Sequence, residues 1–570
     1  MIARGEIVDG SNPAPSVTGV RVGRWKLSAL LPPCIALLAL APIIYAMPRG
    51  LDLSYDSIQY LSAGRNLLAG HGLSVFDTPN SVRPMTHFPP LYPAMIAAFG
   101  AIVGDVDRGA WVLNLVATVL TVLLVARLAE RIAGKNRSAG AYAGVIAALA
   151  AAVTNDLAVN AAMLWSETLF IVLVLATASS LIRAVASESP ARLRDDPWLA
   201  WAALAAGASA LTRYAGIGFI GGGVIALLVI SRLTLAVRIR RALTFGAISI
   251  APLCAWFAYN KVRAHTTTDR DLSLYIITRD DLWIGLETLS RWVFPFDPSG
   301  NVGMVAALAV GAVAAYIVRE TIKPGATDQG KTTPAEASQL DVSNARRATA
   351  ILALMIITYG LFLLASISFV EHAASLDERM LSPALPLFIA MVIGAGGALL
   401  GGESGGLVAR PALRRRIYPR LRVISIVALT ASLGNQAIGL ASWARHMPER
   451  SLGLTQLSRS AAELLDAVRA MPENARVYSN MPYVIYAFAG RVVSGLPRKM
   501  SETSLKPNPN FEAELRRIAV GTEASPAYLV FFDSPFHPPF YTTVIDAKWT
   551  FPTAERRSLA GGQIIVIAGQ

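Results

Sequence analysis

Long apolar runs alternate with shorter polar segments along most of the chain. A helix that spans a bilayer needs about 20 apolar residues, and runs of that length recur from Leu27 onward. The pattern predicts about eleven spans, at residues 27–47, 109–128, 139–156, 161–182, 198–212, 214–231, 242–260, 302–318, 348–369, 383–400 and 423–443. We therefore expect an all-α polytopic membrane protein.

Basic residues cluster at alternate ends of the predicted spans. Lys and Arg resist translocation, so such clusters mark the cytoplasmic side. They precede the first and last spans and follow the second and sixth, as Arg21, Arg24, Lys26, Arg127, Arg131, Lys135, Arg137, Arg232, Arg238, Arg240, Arg241, Arg410, Arg414, Arg415, Arg416, Arg420 and Arg422. The N-terminal residues 1–26 are therefore expected in the cytoplasm, with the first span kept as a signal anchor and the C-terminus outside.

Polar segments divide the predicted membrane domain, residues 27–444, from its surroundings. Residues 48–108 and 261–301 form long outward loops, the second with an amphipathic, interfacial composition that places it over the first. Residues 320–347 have the composition of a flexible cytoplasmic linker. Residues 445–570 combine a helical pattern with short strand-like runs, which predicts a small α/β extension in the periplasm or extracellular space.

Composition agrees with a bilayer environment. The 570 residues are 54% hydrophobic and 16% charged, which excludes an ordinary soluble multidomain protein. The net charge of +13 comes from clusters where membrane topology needs them, so no nucleic-acid partner is expected. The chain has two cysteines, Cys34 and Cys254, both inside predicted spans, so neither a disulfide framework nor a cysteine metal site is indicated.

Chemistry-bearing residues concentrate in the first outward loop. Asp56, Tyr60 and Ala63 have the spacing i, i+4 and i+7, which places them on one face of a short helix. A carboxylate beside an apolar pocket can have a raised pKa and deprotonate an acceptor hydroxyl. Asp56 therefore indicates either a general base or an ordinary helix cap.

With the segments Gly64–Gly72 and Phe88–Pro93, this loop resembles the first outward loop of the GT-C glycosyltransferases. These enzymes use polyprenyl-phosphate sugars and include relatives of protein O-mannosyltransferases and the lipid A aminoarabinose transferase. The resemblance implies that Asp56 is the base while the sugar leaves its polyprenyl phosphate by inverting displacement. Asp52 is its close competitor for that role.

Three more segments resemble the same superfamily. Glu167, in Leu-Trp-Ser-Glu-Thr, matches a second acidic position, with Asp156 as the alternative. Arg213 matches a basic residue near the lipid phosphate, and Arg379 matches the Arg of an Arg-Tyr-Leu-x-Pro motif in which Met380 replaces Tyr. Ordinary interpretations remain: Glu167 pairs with a neighbouring arginine, and both arginines reach out to the interface.

The remaining polar residues of the outward segments give weaker signals. Tyr60, Arg65, His87 and Tyr92 are expected to bind substrate. The acidic pairs at 105/107 and 269/271 resemble metal-holding pairs, but such spacings often arise by chance. The outward histidines His71, His87, His265 and His372 do not have ligand spacing within one helix, so no metal and no other cofactor is expected.

Together these features predict a bacterial inner-membrane glycosyltransferase. The expected partners are a polyprenyl-phosphate-linked sugar donor, membrane lipids and an envelope glycan, lipid or protein acceptor on the outer face. A lipid or sugar transporter would instead show broken helices or ionisable residues at mid-bilayer. A non-catalytic envelope-assembly subunit with the same body is the third hypothesis.

Overall fold

The computed structural model describes residues 23–568 apart from 49, 80, 135–137, 188–195, 271, 273, 294–304, 306–307, 309–310, 313–333, 371–374, 401–410, 450–452, 501–505, 521–524 and 534–539. Helices dominate the described part as far as residue 446, and a small sheet follows it. This confirms the predicted helical membrane body and the C-terminal sheet region.

The helical region contains short helices as well as long apolar ones. Its described helices are α1 (Gly23–Leu38), α2 (Leu40–Ala46), α3 (Tyr55–Leu68), α4 (Leu91–Val103), α5 (Val106–Ala133), α6 (Ser138–Val153), α7 (Asn155–Ala162), α8 (Glu167–Ala186), α9 (Pro197–Thr212), α10 (Gly216–Val229), α11 (Leu235–Ala264), α12 (Arg279–Val293), α13 (Pro334–Phe369), α14 (Glu378–Leu381), α15 (Leu385–Leu400) and α16 (Pro411–His446). A two-stranded hairpin, β1 (Ser74–Thr78) and β2 (Ser81–Pro84), lies between α3 and α4.

Among the described residues, five helical stretches are long and apolar enough to cross a membrane, and a bent pair makes a sixth. They are Ala29–Ala46, α5, α8, α11 and Ser343–Phe369, with the pair formed by α6 and α7. The shorter helices α4, α10 and α15 are also apolar. The predicted span 302–318 lies almost entirely outside the described residues.

Two predicted spans, 139–156 and 161–182, have different boundaries in the structure. Helix α6 ends at Val153, α7 turns away from it by 55°, and α8 begins only at Glu167. The break after α7 arises because Met163 is extended and forms an isolated parallel bridge with Asp52, which accepts a hydrogen bond from the Leu164 amide at 2.9 Å. This bridge fixes the chain that leads into α8.

The prediction that residues 320–347 form a flexible linker is partly wrong. Helix α13 already begins at Pro334, so the second half of the segment is helical. A Pro in the first turn followed by Ala, Glu, Gln and Leu favours helix despite the polar character of the sequence.

The described helix ends group into two ends of the bundle. The upper end holds the ends of α2, α7, α9 and α13, and there the Tyr275 amide donates to the Ser368 carbonyl at 2.8 Å. The lower end holds the ends of α5, α8 and α10, and there Arg241 forms a buried ion pair with Asp196. The predicted basic clusters of α5 and α11 belong to the lower end.

The C-terminal unit is a five-stranded mixed sheet with short helices. Its elements are α17 (Leu454–Ser460), α18 (Ala462–Arg469), β3 (Arg476–Ser479), α19 (Pro482–Ala489), β4 (Ser494–Gly495), α20 (Phe511–Arg517), β5 (Ala527–Phe532), α21 (Val544–Thr550), β6 (Glu555–Leu559) and β7 (Gly562–Ile567). The strand order is β4-β3-β5-β7-β6, with β3 parallel to β4 and β5 and with β7 antiparallel to β5 and β6.

The C-terminal unit packs directly on the segment that contains α3 and the β1–β2 hairpin. The Phe76 ring of β1 stacks on Tyr486 at 4.5 Å and meets Tyr483 at 5.4 Å. Ile58 of α3 belongs to the same buried cluster as Leu454 and Leu464. Helix α3 is therefore held between the bundle and this unit.

Candidate active site

Helix α3 places Asp56 at the upper end of the bundle. Ser54 caps the helix, because its hydroxyl accepts from the Ser57 amide at 3.4 Å while the Ser57 hydroxyl accepts from the Ser54 amide at 2.8 Å. Asp56 lies inside the first turn and is not the capping residue. Its side chain is 31% exposed, and its carboxylate is free of the cap and can bind other partners.

Arg379 connects the two candidate acids. Asp377 caps the short helix α14 by accepting from the Met380 amide at 2.9 Å, which fixes the backbone beside Arg379. The guanidinium donates through Nη2 to Asp56 Oδ2 and through Nε to Glu167 Oε1, both at 2.6 Å. Two carboxylates from distant parts of the sequence thus share one cation.

Arg213 completes the arrangement from the turn between α9 and α10. Its Nη1 atom lies 2.7 Å from Glu167 Oε1 and donates to the Ser166 hydroxyl at 3.1 Å. Glu167 is fully buried, and its Oε2 atom accepts no hydrogen bond from the described residues. We call Asp56, Glu167, Arg213 and Arg379 the ionic cluster; its two positive and two negative side chains balance.

The turn that carries Arg213 depends on Gly216. A Cβ atom at this position would lie 2.5 Å from the Ala210 amide nitrogen, so only glycine lets α10 start this close to α9. Arg213 itself is extended and 16% exposed, and its side chain points into the protein. Arg213 therefore does not simply extend to the membrane interface.

A layer of aromatic rings lies against the ionic cluster. Tyr60 shares a hydrogen bond with the Ser166 hydroxyl at 3.2 Å, and its ring contacts Phe88 and Tyr92 at centroid distances of 4.8 and 4.9 Å. Tyr60 and Tyr92 are both buried. Burial, followed by the nearby Asp56 charge, raises the pKa of Tyr60, so this phenol stays neutral beside the cluster.

The expected raised pKa of Asp56 is wrong. Burial alone would raise the pKa of this carboxyl, but the Arg379 guanidinium opposes it by charge and by hydrogen bond, and Arg213 and His87 add further positive charge. The net effect holds the pKa of Asp56 below its ordinary value. In this state Asp56 is an ionised but weakened base.

Two predicted substrate-binding residues have other described contacts. Arg65 pairs with Asp107 at 2.5 Å and approaches the Tyr486 ring at 5.6 Å, so it joins α3 to α5 and to the C-terminal unit. His87 contacts Arg270 across 3.4 Å, so residues of the segments 48–108 and 261–301 touch here.

The acidic pair 105/107 lies at the start of α5. Asp105 caps this helix by accepting a hydrogen bond from the Arg108 amide at 3.0 Å, and Asp107 forms an ion pair with Arg65. Asp271 and His372 lie outside the described residues. In the described part of the chain, no three His, Cys, Asp or Glu side chains are grouped as metal ligands would be.

Asp52, the competitor of Asp56, faces the C-terminal unit. It is 3% exposed, and its carboxylate accepts from the Gly453 amide at 2.9 Å and from the Thr455 hydroxyl at 2.5 Å. The other alternative, Asp156, lies in the first turn of α7 and lines a separate pocket described below.

Trp165 was not among the predicted site residues. The Arg379 guanidinium lies over its ring at 4.1 Å from the centroid, and its indole nitrogen donates to the Ser54 hydroxyl at 2.8 Å. Met380, where the superfamily motif has Tyr, instead lies 3.7 Å through its sulfur from Arg213 Nη2. Trp165 stands two residues before Glu167, and this proximity in sequence could have indicated that it belongs to the site.

A pocket of about 380 Å³ opens beside the ionic cluster. It lies between α7, α12 and α14. Its lining consists of Asp156, Val159, Asn160, Trp165, Ile284, Glu287, Thr288, Arg291, Asp377, Glu378 and Arg379. Arg379 and Trp165 therefore face both the cluster and the pocket.

Residues 87–256 match the family model described as dolichyl-phosphate-mannose-protein mannosyltransferase. The resemblance to the GT-C glycosyltransferases is confirmed. The matched range includes Glu167 and Arg213, whereas Asp56 and Arg379 lie on either side of it. Direct comparison with curated protein sequences gives no significant match.

Comparison with solved structures finds matches to three glycosyl-transferring proteins. The arabinofuranosyltransferase AftD from mycobacteria is 15% identical, with 96% of this chain and 42% of that chain covered and a TM-score of 0.50. ArnT from Cupriavidus metallidurans, bound to undecaprenyl phosphate, is 14% identical over 97% and 100% of the two chains, with a TM-score of 0.48. The oligosaccharyltransferase AglB from Archaeoglobus fulgidus, in complex with an inhibitory peptide and a dolichol-phosphate, is 14% identical over 89% and 69%, with a TM-score of 0.48. At these identities the likeness to AftD establishes a shared fold.

Proposed function

We propose that this protein is a membrane glycosyltransferase that moves a sugar from a polyprenyl-phosphate donor to an acceptor on the outer face of the membrane. The ionic cluster carries the proposal. Its four members come from four separate segments, each of which resembles the GT-C pattern. The ion pairs that join them are 2.7 Å or shorter. They do so at one end of an apolar bundle, where a lipid-borne phosphate can reach them.

The reaction needs a cation more than it needs an acid. A bond forms between the acceptor oxygen and the anomeric carbon, while the bond from that carbon to the phosphate oxygen breaks with its electron pair. Arg379 and Arg213 lie where they can hold the growing phosphate charge by charge-assisted hydrogen bonds. Asp56 accepts the proton that the acceptor hydroxyl loses.

The ion pair between Asp56 and Arg379 couples the base to the donor. Without a donor, Asp56 shares Arg379 with Glu167, and its pKa is low. A phosphate that binds Arg379 competes for the same guanidinium and adds negative charge beside Asp56. Both effects raise the pKa of Asp56, so the carboxylate becomes a stronger base when the donor is in place.

Glu167 has a different part in this scheme. It is fully buried, contacts both arginines and has no described exposed surface through which to meet an acceptor. Its charge keeps Arg213 and Arg379 close together, where two guanidiniums would otherwise repel each other. We assign it to positioning the cations rather than to proton transfer.

The experiment compares wild type with Asp56→Asn, purified in detergent and given radiolabelled polyprenyl-phosphate sugars with cell-envelope acceptors. Asp56→Asn keeps the shape of the side chain and removes its charge. Asp77→Asn is the matched control, because Asp77 is a half-exposed acid on the same outward segment whose ion pair with Arg83 is only a 4.0 Å contact.

We expect transfer by wild type and by Asp77→Asn, and a loss of at least about 100-fold in Asp56→Asn with donor binding retained. Equal transfer by both variants would remove Asp56 from the role of base. No transfer and no binding of any polyprenyl-phosphate compound by wild type would overturn the proposed function itself.

A further inference from the structure

The pocket between α7, α12 and α14 lies beside the ionic cluster and shares Arg379 with it. Trp165, whose ring packs against the Arg379 guanidinium, also lines this pocket. Its volume of about 380 Å³ is in the range of small-ligand sites. The side chains around it are mixed: carboxylates, an amide, two arginines and one aromatic ring. Such a lining suits a polyhydroxylated ligand, which needs hydrogen-bond acceptors and donors together with an apolar face.

The charges of the pocket are unevenly distributed. Its four carboxylates, Asp156, Glu287, Asp377 and Glu378, face two guanidiniums, Arg291 and Arg379. Arg379 is already shared by Asp56 and Glu167 of the ionic cluster. The pocket is therefore negative away from Arg379.

Only part of this negative charge is matched within the pocket. Arg291 pairs with Glu287 at 2.8 Å and also with Glu378, while Asp377 caps α14. Asp156 is half-buried, and none of the described residues donates a hydrogen bond to its carboxylate. Asn160, one turn further along α7, donates to the Ser382 hydroxyl at 2.8 Å and lies on the same wall.

We infer that this pocket holds the sugar of the donor and selects an uncharged or cationic sugar over an acidic one. The inference rests on the proposed function. With the phosphate at Arg379, the attached ring would enter the pocket that Trp165, Asp156 and Glu287 line. A carboxylate on the sugar would meet like charge there, because Glu287, Asp377 and Glu378 outnumber Arg291 in the same lining.

The test measures binding rather than turnover, so that it does not depend on knowing the acceptor. The probes are undecaprenyl phosphate alone and undecaprenyl phosphate carrying either glucose or glucuronic acid, which differ only at C6. Purified wild type, Asp156→Asn and Asp280→Asn are compared. Asp280 is an exposed acid on α12, like Glu287, but it does not line the pocket.

We expect wild type to bind the glucuronic acid lipid at least about tenfold more weakly than the glucose lipid. Asp156→Asn should reduce this ratio by at least about threefold, and Asp280→Asn should leave it unchanged. Retained binding of the glucose lipid by Asp156→Asn shows that the variant is folded.

Three results would overturn the inference. These are equal affinity of wild type for the two lipids, an unchanged ratio in Asp156→Asn, and an equal change in both variants. If undecaprenyl phosphate alone still binds in those cases, the proposed function stands and only the assignment of the pocket fails. If no probe binds, both fail.

Discussion

Arg379 is the residue on which the geometry of the site depends. It contacts two carboxylates through different nitrogen atoms and covers an indole ring with its planar face. Only a guanidinium offers several donors in a fixed plane together with a flat face for an aromatic ring. A lysine in its place would give one point charge and could not hold both acids in the same orientation.

We expect Arg379→Lys and Arg379→Gln to reduce transfer by at least about 100-fold, because the leaving phosphate loses its fixed cation. Arg379→Gln should also lower the melting temperature, since Glu167 stays buried with Arg213 as its remaining ion-pair partner. Arg83→Gln, at a half-buried arginine of the β1–β2 hairpin, is the control. Wild-type transfer by Arg379→Gln would remove this residue from the mechanism.

The pH dependence of transfer should report the coupling between Asp56 and the donor. In the free enzyme Arg379 holds the pKa of Asp56 below its ordinary value, so the carboxylate stays ionised and kcat/KM should fall only at a pH below the range in which an ordinary aspartate titrates. With the donor bound, the pKa rises, so kcat should begin to fall at a higher pH than kcat/KM. Acidic limbs at the same pH in both profiles would contradict the competition for Arg379.

The candidate residues were predictable from short motifs, but their contacts were not. Asp56, Glu167, Arg213 and Arg379 each follow from a local pattern, whereas the fact that one arginine serves both acids is a property of the fold. The lowered pKa of Asp56 follows from that contact, so the sequence indicated the opposite direction. Asp52 competed with Asp56 because acidic residues four positions apart look alike until their partners are known.

The segment Asp52–Ser54 is a three-way junction. The Asp52 backbone bridges to Met163 before α8, while its carboxylate and the Leu53 carbonyl accept from Gly453, Thr455 and Leu454 at the start of the C-terminal unit. The acids of α3 and α8 are thereby tied to each other and to the C-terminal unit.

We expect Asp52→Ala to loosen the C-terminal unit. It removes the acceptor of three hydrogen bonds, from Leu53, Gly453 and Thr455, at a cost of about 2–4 kcal/mol. Limited proteolysis should then cut faster between α16 and α17. Asp77→Ala serves as the half-exposed control.

Gly453→Ala tests the same junction by sterics alone, because its Cβ would lie 2.1 Å from the Leu53 carbonyl oxygen. It should produce the same cleavage as Asp52→Ala without any change of charge. Wild-type cleavage rates in both variants would show that the junction does not hold the C-terminal unit.

Apolar periodicity predicted the long helices well because a bilayer demands them, as for α5, α8 and α11. It failed where backbone contacts from elsewhere interrupt a helix, as at Met163, where the bridge to Asp52 replaces a continuous span. It also failed at Pro334, where local helix propensity outweighs a polar composition. Both errors arise from interactions that a hydropathy window does not contain.

Charge is segregated between the two ends of the bundle. The lower end has basic residues of α5 and α11, including Arg131, which donates to the Ser179 carbonyl at 3.1 Å, and Arg241, which pairs with Asp196. The upper end has the ionic cluster, the pocket and the C-terminal unit. If the basic end is cytoplasmic, the whole site and the C-terminal unit lie outside together.

This orientation can be tested with single cysteines in a background where Cys34 and Cys254 are replaced by Ser. Asp77→Cys and Trp549→Cys report on the first outward segment and on the exposed surface of the C-terminal unit, and Arg240→Cys reports on the lower end. A membrane-impermeant maleimide should label the first two in intact cells and the third only after permeabilisation. Because Phe76 packs on Tyr486, positions 77 and 549 must react alike, whatever the number of spans between them. The reversed pattern would place the site in the cytoplasm, and opposite behaviour of positions 77 and 549 would contradict the docking of the C-terminal unit itself.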